Sequence, residues 1–130
     1  MTTLHNYLAR IEATVYSRQD ITVRDLRVEL VSTSEAYIED RLIFYDGSFL
    51  EIEEVLYLSD RRIEKVRYSY HYQKGDHLIF RYDNAPHHPE LPTFPHHKHV
   101  EDRVEPCQEP DLQEILREID ARLYPQPAHS

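Results

Sequence analysis

The densest chemistry in the sequence lies between Arg81 and His99, a stretch that holds five of the nine histidines and four of the eight prolines. Imidazole titrates near neutrality, so a segment rich in it suits general acid/base work. Proline fixes φ and removes a backbone donor, so four of them predict a rigid loop that holds the side chains between them in place. On residue chemistry, His96, His97 and His99 are candidates for proton transfer, Arg81 and Lys98 for stabilising a phosphate, and Asp83 for orienting an imidazole. Pro86, His87, His88 and Pro95 are expected to structure the loop. Arg67, His71 and Phe94 are candidates for substrate binding, with Phe94 read either as a hydrophobic plug or as a platform for base stacking.

Metal ligation competes with this reading, because His87, His88, His96, His97 and His99, with Asp83 and Glu90, include plausible ligand types. The spacing fits no standard zinc pattern: there is no His-Glu-x-x-His helix and no cysteine pair. The assignment therefore names no metal and no cofactor, with structural, acid/base and ligating histidines kept as alternatives. The lone Cys107, beside Pro106, can form no internal disulfide and reads as an incidental thiol. Arg81 and Asp83 equally suit a local salt bridge that pins the loop.

These residues need a scaffold, and 130 residues at 40% hydrophobic content suit one core in one domain, over residues 1–125 with a frayed tail at 126–130. No run of eighteen apolar residues exists, and the start Met-Thr-Thr-Leu-His-Asn-Tyr lacks the pattern of a signal peptide, so a cytoplasmic protein with no membrane association is expected. A formal net charge of −9 argues against an open, nonspecific nucleic-acid surface. The charge is uneven, however: residues 35 to 60 carry eight acids and one base, whereas Arg61, Arg62, Lys65, Arg67, Lys74, Arg81 and Lys98 follow. A local basic face stays open, and the acidic stretch can meet a basic partner.

Leu4, Tyr7, Leu8, Ile11 and Val15 recur at helical spacing, which predicts a short amphipathic helix. From Ile21 to Tyr82 the period shifts toward two, with breaks at 32–35, 46–48, 59–62 and 74–76, which predicts a five-strand antiparallel meander. A second amphipathic helix starts near Pro110, aligns Leu112, Ile115, Leu116, Ile119 and Leu123, and ends at Pro125. The fold class is thus α+β, a meander with an N-terminal and a C-terminal helix. A three-residue turn at Lys74-Gly75-Asp76 would pair Tyr72 with Leu78, Tyr70 with Phe80 and Tyr68 with Tyr82 on a buried face. The other face would pair His71 with Ile79, Ser69 with Arg81 and Arg67 with Asp83. A two-residue turn would scramble that register.

The runs Arg81-Tyr82-Asp83-Asn84-Ala85-Pro86-His87-His88 and Phe94-Pro95-His96-His97-Lys98-His99 resemble the signature of the TumE-like toxin family of bacterial and archaeal toxin–antitoxin systems. The similarity extends over about residues 20 to 123, from the tyrosine-rich strand to the C-terminal helix. It implies the growth-inhibiting half of a two-gene module, neutralised by a DNA-binding antitoxin of helix-turn-helix type. No catalytic residues come with the resemblance, so the site assignment rests on the residues themselves.

Small toxins with an antiparallel sheet and flanking helices often cleave RNA, which needs a base for the 2′-hydroxyl, an acid for the leaving oxygen and a cation for the phosphorane. The leading expectation is a metal-independent ribonuclease built on the 81–99 segment, by analogy of fold class. A metal-dependent nuclease and a non-catalytic module that grips an antitoxin, a nucleotide or a metal are the alternatives, and a homodimer is compatible with the composition.

Overall fold

The computed structural model describes residues 3–127, so the first two residues and, of the tail expected at 126–130, residues 128–130 lie outside the described residues. Helix α1, Thr3–Tyr16, leads into seven strands and a closing helix. The strands are β1 Ile21–Leu30, β2 Glu35–Phe44, β3 Phe49–Ser59, β4 Arg62–Lys74, β5 His77–Asp83, β6 His97–Val100 and β7 Arg103–Pro106, and α2 spans Leu112–Leu123. All seven form one antiparallel sheet in sequence order. The expected five-strand meander is therefore corrected to seven strands. The two extra strands were hidden because His-Lys-His-Val has no apolar alternation and because the turn at Glu101-Asp102 carries no glycine, although Glu101 takes φ +55 there.

Both helices cover one face of the sheet. Leu4, Leu8, Ile11 and Val15 of α1 and Ile115, Leu116, Ile119 and Leu123 of α2 pack on Ile38, Leu42, Leu50, Ile52, Tyr70, Tyr72 and Phe80. Pro110 stands just before α2, and Asp111 caps it by accepting a 2.8 Å bond from the Glu114 amide. The opposite face carries Glu39, Arg41, Glu51, Glu53, Arg67, His71 and Arg81, as the period of two requires for a sheet covered on one side.

The β4–β5 hairpin has a two-residue turn, with Lys74 opposite His77 and Gly75 at φ +59. That register alone would flip the side chains of β5 to the wrong faces. A bulge at Ile79 restores them: Gln73 pairs with Leu78 but Tyr72 with Phe80, Tyr70 with Tyr82, His71 with Arg81 and Ser69 with Asp83. Every expected pair is displaced, yet the aromatic residues stay under the helices and Arg67, His71, Arg81 and Asp83 stay on the open face.

Candidate functional site

The site grows from the last three strands. β5 ends at Asp83, the segment 84–96 loops back, and β6 returns beside β5 with His97 opposite Asp83, Lys98 opposite Tyr82 and His99 opposite Arg81. Pairing in the sheet makes alternation decide which side chains meet. His97 and His99 fall on the open face with Asp83 and Arg81, and Lys98 falls on the covered face, where its Nζ lies 2.8 Å from Glu118 Oε2. His96 is also separated from the cluster: its Nδ1 lies 2.9 Å from the Tyr68 hydroxyl and its ring stacks on Tyr68. The His-Lys-His run was read as part of a loop; as a strand, it sends its members to opposite sides.

Asp83 is the hub of the open face. Its Oδ1 accepts from the Ala85 amide at 3.0 Å and lies 2.9 Å from His97 Nε2, while Oδ2 accepts from Arg81 Nε at 3.2 Å and lies 3.7 Å from His99 Nε2. His97 is 1% exposed, and its Nδ1 donates to the Pro95 carbonyl at 2.9 Å. The Asn84 side chain fixes the start of the loop on β4, accepting from the Tyr68 amide and donating to the Val66 carbonyl. Thr93 closes its end through the His96 carbonyl and the Cys107 amide. The loop is thus held by side-chain bonds to its own backbone and to neighbouring strands, in addition to its prolines.

Three imidazoles meet here. The His88, His97 and His99 rings lie edge to face, with centroids 4.9 Å apart for His88–His97 and His97–His99 and 5.8 Å for His88–His99. Burial and the neighbouring His97 ring push the His99 pKa below its ordinary value, against the opposing pull of Asp83. A cleft of about 450 Å³ opens over the cluster, lined by Arg67, Ser69, Arg81, Asp83, His87 and His88 among others, with Glu53 and Val55 of β3 on its far side.

His71 does not itself line this cleft; its Nδ1 accepts from Arg81 at 3.3 Å and its Nε2 meets Gln73 at 2.7 Å. It steadies the guanidinium that does. Phe94 stands 45% exposed outside the cleft. His88, expected to structure the loop or, as one of five candidate histidines, to ligate a metal, joins the imidazole cluster; which histidines meet was not legible in the sequence, because ten residues and a chain reversal separate His88 from His99. Cys107 is raised to about 11 by burial, which keeps it a thiol. Among the described residues no helix is long and apolar enough to cross a membrane.

The family model described as Toxin TumE matches residues 9–123. The chain belongs to the TumE toxin family. It is therefore the toxin component of a toxin–antitoxin module, with an antitoxin as its partner. No curated protein and no solved structure matches it. The matched range of this TumE-family toxin begins inside α1 and ends with α2, and it takes in the whole histidine cluster.

Proposed function

We propose that this toxin arrests growth by cleaving RNA in the open-face cleft, with Arg67 and Arg81 receiving the phosphate and the histidine cluster acting on the reacting oxygens. The observation that carries the reading is the convergence of two guanidinium groups and three imidazoles around one cleft of nucleotide dimensions. Scission of a phosphodiester needs charge stabilisation at the phosphorus and activation of the attacking oxygen, and these groups can supply both. The phosphate role expected of Lys98 passes to Arg67 and Arg81, since Lys98 is paired with Glu118 across the sheet. Arg81, held by Asp83 and His71, presents a guanidinium whose orientation is set before substrate arrives.

The net charge of −9 favours a substrate drawn in by this local pair of cations over one bound along a broad surface. Resemblance to the family supports a DNA-binding antitoxin of helix-turn-helix type as the partner that restrains the activity. The test is incubation of the purified protein with single-stranded RNA, beside Arg81→Ala and His99→Ala. Cleavage by the wild type should fall by about 100-fold to 10,000-fold in each variant. Intact RNA with the wild type, or equal cleavage by folded variants, would discard the reading in favour of a binding module.

A further inference from the structure

We propose that His88, His97 and His99 bind one divalent transition-metal ion, with Asp83 supplying the negative charge beside them. The inference rests on the reading of this cleft as the working site and gives the three imidazoles a specific part in it: as ligands they would act on the reacting oxygens through the ion they hold, not as proton carriers themselves.

The orientation of the rings carries the argument. A carbonyl oxygen can only accept, so the 2.9 Å contact from His97 Nδ1 to Pro95 places the proton on Nδ1 and leaves Nε2 bare in a neutral ring. That bare nitrogen faces Asp83 Oδ1 at 2.9 Å, acceptor toward acceptor, inside a nearly closed site. Such a pair needs positive charge beside it; Arg81 supplies it on the Oδ2 side of the carboxylate, and a proton or a metal ion at Nε2 would supply it on the Oδ1 side, where the two acceptors meet. His88 repeats the arrangement: its Nδ1 lies 3.1 Å from Glu90 Oε1, which accepts the ring proton and leaves Nε2 available. A metal-bound histidine characteristically donates its other ring N–H to a backbone carbonyl or carboxylate, and two of the three rings here do so.

Ligand distances fit with small adjustment. One ligand atom from each of the three rings lies within 4.8 Å of the others. Two imidazole nitrogens on a tetrahedral zinc stand roughly 3.4 Å apart, so rotation of the partly exposed His88 and His99 rings closes the set onto buried His97. Three histidines with a further position open toward the cleft form the donor set of a catalytic rather than a structural zinc site, and imidazole donors select zinc, nickel, copper or iron over magnesium and calcium. The sequence offers five histidines as possible ligands but not this set of three, because the three come from the loop and from alternate positions of a strand.

Equilibrium dialysis of the whole protein against Zn2+, with the visible absorption of Co2+ as a second readout, tests the site without RNA. One equivalent should bind saturably to the wild type, and His88→Ala and His99→Ala should each weaken binding by roughly 100-fold or more. His77→Ala, at the far hairpin turn, should bind as the wild type. Because buried His97→Ala can fail to fold, the decision rests on the two partly exposed ligands, with circular dichroism to show that each variant retains its sheet. Absence of saturable binding, or binding that survives both substitutions in folded protein, overturns the proposal. The nuclease reading stands or falls separately: metal uptake with RNA left intact supports the metal site and removes the nuclease, and RNA cleavage by protein that takes up no metal does the reverse.

Discussion

Lys98 Nζ lies 2.8 Å from Glu118 Oε2 and ties β6 to α2, while its neighbours His97 and His99 project from the other face of the same strand. Tyr82 donates to the same carboxylate, so Glu118 gathers two strands onto the helix. Lys98→Ala should therefore act through stability. Loss of a partly buried charged hydrogen bond costs about 1.5 to 3 kcal/mol, read from urea unfolding, whereas RNA cleavage by the folded variant should stay within a few-fold of wild type. A hundredfold loss of rate with unchanged stability would return Lys98 to the phosphate.

Arg67 is exposed at the cleft, opposite Val55, and the structure gives it no salt bridge among the described residues. A guanidinium that meets a phosphate releases a counterion when it binds. Arg67→Ala should weaken RNA binding at low salt and reduce the slope of log affinity against log salt by about 0.7. Fluorescence anisotropy across a salt series measures it. An unchanged slope would mean that no phosphate reaches Arg67.

The helices were legible in the sequence because apolar residues at three and four, such as Ile115, Leu116 and Ile119, have one structural meaning. The face of the β4–β5 hairpin was also legible, since Tyr70, Tyr72 and Phe80 had to be buried, but its register was not. A bulge at Ile79 compensates a shorter turn, and nothing in Leu78-Ile79-Phe80 distinguishes a bulged residue from a paired one. The same limit applied to the site. Arg81, Asp83, His97 and His99 were read together from their density of function, yet Lys98 and His96 could be separated from them only after 97–100 was known to be a strand.

Tyr70 links the sheet to both ends of the helical layer. Its hydroxyl donates to Glu54 Oε2 at 2.5 Å and accepts from Lys65 Nζ at 2.6 Å; Tyr7 of α1 donates to the other Glu54 oxygen, and Lys65 reaches the Pro110 carbonyl before α2. Glu54 is buried under α1, so it depends on these donors. Tyr70→Phe keeps the ring and removes the bridge, leaving one carboxylate oxygen unsatisfied at a cost of about 2 to 3 kcal/mol. Tyr70→Ala adds a cavity and should cost about 3 to 5 kcal/mol. If Tyr70→Phe melts with the wild type, the Glu54 network contributes nothing to stability.

Asp40 should give the fold a pH dependence opposite to that of its paired carboxylates. It is 4% exposed, opposite Leu26 and Ile52, and neither oxygen has a side-chain hydrogen-bond partner among the described residues. Burial pushes its pKa up to about 6, reinforced by Asp25 and only partly offset by Arg24 and the Arg41 amide. The native state thus holds the Asp40 proton more tightly than the unfolded chain, whose carboxyl titrates near its ordinary value. Stability from this group is full below about pH 4 and is lost as the pH rises through about 6, by about 3 kcal/mol for a two-unit shift. Asp20 and Asp46 run the other way, since hydrogen bonds from Arg18 and Ser48 lower both and stability from them is lost as the pH falls. Asp40→Asn removes only the first trend: the variant should match the wild type near pH 4 and exceed it above pH 6 in urea unfolding. A difference between the two proteins that stays constant from pH 4 to pH 7 would show that Asp40 does not titrate in the folded state over that range.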